Sequence, residues 1–233
     1  MEHPGATPPG PYGTPATPLV TVRGEAHHEV DPETAAIEIT VTARGTDRRA
    51  TLADLTTRNQ RVLDLVRGYG EAVEKTETGA LAITPRLTAK GRHERVGSYH
   101  GTVRTTATLA DFTALGELTT RLADLDLTTV AGPWWALRPD SPAHRDARRR
   151  AVHDAVRRAR EYAEALGARL VALLELADHD TDLPGPFPRA GTMRAARFGA
   201  PEPEAPAALD LEPQRQTVHA QVTARFTLTP PTL

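Results

Sequence analysis

The sequence predicts an α+β fold built mainly on antiparallel sheet. Three observations lead there. Stretches that alternate apolar and polar residues come in adjacent pairs, and each of the first two pairs is followed by apolar residues at helical spacing. The resulting order is ββα, ββα, β, α, β, a long loop and a last β, the pattern of helices packed on hairpin-rich sheet. Cysteine is absent and aromatic residues make up only 4% of the 233-residue chain, so the core has to be built from Ala, Val, Leu and Ile without disulfides or thiolate metal sites. The repeated ββα points to two related lobes, although no sequence repeat marks a duplication.

Each element has its own signal. Over residues 20–30, Val20, Val22, Gly24, Ala26, His28 and Val30 share one face, and Thr21, Arg23, Glu25, His27 and Glu29 the other. Asp31-Pro32-Glu33 reads as a turn. Ala35, Ile37, Ile39, Val41 and Ala43 then alternate inward, and the two runs are expected to form an antiparallel hairpin. Leu52, Leu55, Val62, Leu63 and Val66 set a helix over about 50–67, stopped by Gly68 and Gly70. Strands are expected at 79–90 and 96–109, joined by the charged stretch 90–95.

Asp111 is placed to cap a second helix with the stripe Phe112, Leu115, Leu118, Leu122 and Leu125. Residues 127–138 read as a strand, and Pro133 within it argues for an edge or a bulge. Ser141-Pro142 opens the longest helix, with Ser as cap and Pro at the first position, and Gly167 ends it. Residues 169–177 are rich in Leu and Val and are expected to be buried on both faces. The last run, 216–229, turns Val218, Ala220, Val222, Ala224, Phe226 and Leu228 to one side.

Proline defines the organisation around these elements. Six of the 20 prolines lie in residues 1–18 and seven in 184–213, densities that exclude helix and sheet there. The expected layout is a disordered Pro-rich arm at 1–18, one domain over 19–229 interrupted by a Pro-rich loop at 184–213, and a tail at 230–233. A net charge of −2 gives no global case for nucleic acid, and no apolar run approaches the ~20 residues that span a bilayer. The N-terminal residues carry neither a basic nor an apolar segment of the export type, so the expected location is the cytoplasm.

Together, several segments resemble the SIMPL-domain family, also called DUF541. They are Val20-Thr21-Val22-Arg23-Gly24-Glu25-Ala26 with Val30-Asp31-Pro32-Glu33-Thr34-Ala35, then Ile83-Thr84-Pro85 with Gly97-Ser98-Tyr99, then Val130 to Leu137. The long helix adds Ala147-Arg148, Ala151-Val152, Asp154-Ala155, Ala159, Tyr162-Ala163 and Leu166-Gly167. The resemblance covers about 19–180 and implies an α+β protein with no established catalysis and a tendency to oligomerise. Bacterial members are mostly exported to the envelope, which the N-terminus here does not match, and the 184–213 insertion departs from the pattern.

Candidate sites are few. The helix over 145–160 holds seven arginines, but Asp146–Arg150, Arg157–Glu161 and Arg160–Glu164 are at i,i+4 spacing. Such pairs contribute ~0.2–0.5 kcal/mol each and mark a solvated face, so nucleic-acid binding is not expected. A helical wheel places Arg148 near the centre of the apolar face. It is expected either to snorkel past the sheet edge or to form a structural ion pair with Glu25 or Glu38. His27 and His28 are neighbours in a strand, point to opposite faces and cannot share a metal. The run 178–182 lacks the Gly and terminal Glu of a calcium loop.

No Gly-x-Ser-x-Gly elbow, phosphate-binding loop or dinucleotide fingerprint occurs, and no cofactor is expected. Trp134 and Trp135 are adjacent on a strand, so one is expected to face the core; the other is an interface candidate, with Tyr99, or is itself covered. The leading expectation is a non-enzymatic, self-associating scaffold or stress-related binding protein. The alternative is a cytoplasmic enzyme or small-ligand binder with a cleft around Tyr99, His100 and Arg148.

Overall fold

A computed structural model describes residues 13–88, 95–179 and 209–232. Residues 1–12 of the arm, 89–94 between the third and fourth strands, 180–182 of the polar run and 184–208 of the Pro-rich stretch lie outside the described residues. The elements are β1 (Leu19–Val30), β2 (Thr34–Gly45), α1 (Arg48–Arg67), a short 3₁₀ turn (Gly70–Ala72), β3 (Val73–Thr88), β4 (Arg95–Leu109), α2 (Phe112–Ala123), β5 (Thr128–Ala136), α3 (Pro142–Ala165), β6 (Leu170–Asp178) and β7 (Gln216–Leu228). The fold is α+β with antiparallel sheets, in the order the sequence predicts.

Two compact units share these elements. One contains β2 to β5 with α1 and α2; the other contains β1, α3, β6 and β7.

In the first unit the sheet order is β3-β4-β2-β5. β2 lies centrally, and its inward row Ala35, Ile37, Ile39, Val41 and Ala43 is buried as its alternation requires. Leu55, Val62 and Val66 of α1 and Leu115, Leu118 and Leu122 of α2 complete the same core. Leu52, expected in the α1 stripe, is exposed; Thr51 is buried beside Leu55 and donates its hydroxyl to the Asp47 carbonyl at 2.7 Å. α2 is capped as its sequence predicts, Asp111 Oδ1 accepting from the amides of Thr113 and Ala114 at 2.9 and 3.0 Å.

Pro133 lies on β5, an edge strand whose pairing with β2 shifts register between Ala36 and Glu38, so edge and bulge coincide. Residues 209–211, the end of the Pro-rich stretch, are ordered against α2. The Leu209 amide donates to Thr120 Oγ1 at 3.1 Å, and Leu211 packs on the core. The close approach leaves no room at Gly116, where a Cβ would lie 2.3 Å from the Leu209 carbonyl oxygen.

In the second unit the sheet order is β1-β7-β6. This corrects the expected β1–β2 hairpin. β1 pairs along its whole length with β7, from Leu19 opposite Thr227 to Val30 opposite Gln216, while β2 pairs with β4 and β5 in the other sheet. The reason is matching alternation. The buried Val22 and Ala26 of β1 share a face with Val218, Ala220, Val222, Ala224 and Phe226 of β7. β2 is already flanked on both sides.

α3 covers that face with a row of alanines four residues apart: Ala143, Ala147, Ala151, Ala155, Ala159 and Ala163. Small residues let the helix backbone approach the strand. At Gly24 a Cβ would lie 2.1 Å from the Ala151 carbonyl oxygen and 2.6 Å from the Ala155 nitrogen. Ser141 and Pro142 start this helix as predicted, and Gly167 follows its end at φ +63°.

The expected two-faced burial of 169–177 is wrong. β6 is at the edge of its sheet, and Val171, Leu173, Leu174 and Leu176 are 62, 52, 42 and 47% exposed. A run of aliphatic residues reports that a strand is not alternating, but it does not report what covers it.

Candidate functional site

The outer face of the second unit's sheet, opposite α3, carries its polar side chains. Alternation sends Arg23, Glu25, His27 and Glu29 of β1 outward, and antiparallel pairing sets His27 directly opposite His219 of β7. Their Nδ1 atoms are 2.6 Å apart, and the rings meet edge to face with centroids 4.6 Å apart. Only one of the two nitrogens can carry the proton of such a contact. His179, just beyond β6, donates its amide to the Gln221 carbonyl and places its Nε2 3.0 Å from Thr223 Oγ1.

His28 points the other way, as its place in the strand requires, and its Nδ1 lies 3.0 Å from an Arg150 guanidinium nitrogen. No group of three or more metal-ligating side chains is assembled among the described residues.

α3 joins the sheet through Asp154. Its Oδ2 accepts the Glu25 backbone amide at 3.1 Å, and its carboxylate pairs with Arg157 and, at 2.9 Å, with Arg158. Burial alone would raise this carboxyl; the Glu25 amide and the two guanidinium groups outweigh it and hold the group below its ordinary value. Of the expected pairs along the helix, Arg157–Glu161 forms at 3.4 Å, whereas Asp146 meets Arg149. The buried row passes through Ala147, so Arg148 is exposed rather than central to the apolar face. Tyr162 and Leu166, apolar on a helical wheel, are themselves exposed, and the packing row follows the alanines alone.

Tyr99 and His100 are on β4 in the first unit, and Arg148 is on α3 in the second. Desolvation, then the charges of Arg44 and Arg86, lower the His100 pKa. Two concave surfaces are lined by other residues. One follows α3 from His153 and Val156 to Glu161 and Glu164; the other lies at Arg58, Arg61 and Asp126. Trp135 faces the first unit's core and packs edge to face on Phe112, with centroids 4.8 Å apart. Trp134, on the other face of β5, is half-buried.

A family model described as SIMPL, a protein of unknown function (DUF541), matches residues 20–226. The chain belongs to the SIMPL family. The SIMPL match begins within β1 and ends within β7, so it spans both units and includes His27, Asp154 and His219. No curated protein matches the chain. Among solved structures, a Burkholderia cenocepacia protein provisionally labelled an amidohydrolase/peptidase is 20% identical with a TM-score of 0.23, the match covering 57% of this chain and 33% of that one. The chain thus spans about a third of that protein's length. No helix among the described residues is long and apolar enough to cross a membrane.

Of the residues singled out from sequence, none marked the His27–His219 pair. Both histidines were legible as outward-facing on their strands, but the signal that joins them is a strand pairing across 192 positions.

Proposed function

We propose that this SIMPL-family protein is a non-enzymatic scaffold or stress-related binding protein that associates with copies of itself through exposed strand edges. The observation that carries the reading is β6. It combines an edge position with four large aliphatic side chains at least two-fifths exposed. An edge strand presents unpaired N–H and C=O groups, and exposed apolar edges of this kind pair with other chains unless they are blunted by charge or proline. β6 contains no Lys, Arg or Pro; Glu175 and the terminal Asp178 are its only charges. A second copy presents the same edge, which suits a two-fold contact. β5, with Trp134, offers a second edge in the other unit.

Light scattering on the full chain at micromolar concentration tests this. A discrete oligomer is expected, and Leu174→Lys, which places a charge on the exposed edge, should shift the population to monomer without changing the circular dichroism spectrum. A strictly monomeric wild-type chain would remove the proposal.

A further inference from the structure

The His27–His219 pair is not used by the self-association reading, and its chemistry is specific. Two imidazoles are fixed opposite each other on neighbouring strands of one sheet, on the exposed face, with their Nδ1 atoms converging on one point. The backbone register holds them there, so a ligand that engages both has little conformational freedom left to remove. We propose that His27 and His219 form a two-imidazole site for a late first-row divalent ion, Cu²⁺ ahead of Ni²⁺ or Zn²⁺, bound within a single chain.

The donor set selects the ion. Paired imidazole nitrogens favour Cu²⁺, Ni²⁺ and Zn²⁺, whereas Mg²⁺ and Ca²⁺ require oxygen cages. With metal–nitrogen distances of about 2.0–2.1 Å, two cis ligands are about 2.9 Å apart at the square-planar angle that Cu²⁺ prefers and about 3.3 Å apart at the tetrahedral angle of Zn²⁺. The nitrogens therefore have to part by well under an ångström, a small ring rotation on an exposed face. Glu25 and Glu29 are the nearest outward-facing residues on either side of His27 along β1, but no third ligating side chain is assembled with the pair among the described residues, so water fills the remaining positions. Further charged or titratable groups on this face include Arg23, paired with Glu25, Arg225 of β7, paired with Glu175, and His179 beyond β6. Both imidazoles must be neutral to bind metal, so protons compete with the ion and affinity falls as pH drops.

Calorimetric titration with Cu²⁺ of the full chain carrying His3→Ala, which breaks the competing set of amine, amide and imidazole donors that Met1-Glu2-His3 would offer copper, tests the site in a non-coordinating buffer at about pH 7.5. A single ion per chain is expected. His27→Ala and His219→Ala should each weaken binding about tenfold or more, a scale that even the outer partners of metal ligands reach. His28→Ala removes a histidine of the same strand that faces Arg150 instead, and it should leave the affinity unchanged. In that background, a His27→Ala or His219→Ala chain that titrates like its His3→Ala parent would overturn the proposal, as would an equal loss in His28→Ala. Should a variant fail to fold, paramagnetic resonance of the His3→Ala chain with one equivalent of Cu²⁺ decides. Hyperfine coupling to two imidazole nitrogens is expected, and coupling to one or none overturns it.

Discussion

The two units build their cores by opposite means. In the first, α1 and α2 fill the space over the sheet with Leu55, Val62, Val66, Leu115, Leu118 and Leu122, and the strands answer with Ile37, Ile39 and Val41. In the second, α3 lies on β1 through alanine and glycine, close enough that a methyl group at Gly24 would overlap the helix backbone. One core is made by volume and the other by proximity. The first should be sensitive to atoms removed and the second to atoms added. An aromatic-poor sequence reaches a packed interior by both routes, because interiors tolerate neither voids nor overlap.

Three substitutions test that contrast, each read by urea unfolding followed by circular dichroism. Leu118→Ala empties a fully buried position on α2 and should destabilise by about 2–5 kcal/mol. A loss below 1 kcal/mol would mean that the first unit collapses readily around the gap and is not set by volume. Gly24→Ala adds one methyl group where the neighbour is helix backbone rather than a movable side chain. The expected cost is about 1–3 kcal/mol, toward the upper end. A neutral result would show that α3 shifts freely over β1 and that the small-residue seam is not tight.

Asp154→Asn sharpens the contrast, because the second unit adds a polar tie to its close contact. Removing the charge that accepts the Glu25 amide and pairs with Arg157 and Arg158 should destabilise by about 1.5 kcal/mol at neutral pH. The folded-state pKa of Asp154 lies below the ordinary 3.8, so the folded chain favours the carboxylate. Its contribution is fully present above 3.8 and is lost as pH falls through the lower folded value. The gap between wild type and Asp154→Asn should therefore close in acid. A gap that persists unchanged there would assign the effect to packing.

Elements were legible wherever a local period was clear. β2 shows five inward residues at a spacing of two, and all five are buried. The caps at Asp111 and Ser141 were legible because capping is a matter of a few adjacent residues. The differences have separate sources. β6 reads like a core strand because Leu and Val report hydrophobicity, not neighbours, and no strand or helix lies along its outer edge among the described residues. β3 begins at Val73, six residues before the expected start, because Glu74, Lys75 and Glu77 gave no apolar alternation to read. Arg148 falls near the centre of the apolar face only on a wheel that averages over Tyr162 and Leu166, whereas the packing row follows the alanines alone. The histidine pair had no local signal at all.

The sequence by itself determined which segments become helix or strand and which face of β2 and β7 turns inward, because those depend on a period repeated over a few neighbouring residues. Tertiary structure alone decided that β1 joins β7 rather than β2, that β6 ends at an edge, and that His27 meets His219. Those outcomes depend on which distant strand satisfies an exposed row of backbone groups while burying a matching apolar face. That is a property of pairs of segments, and no single segment carries it.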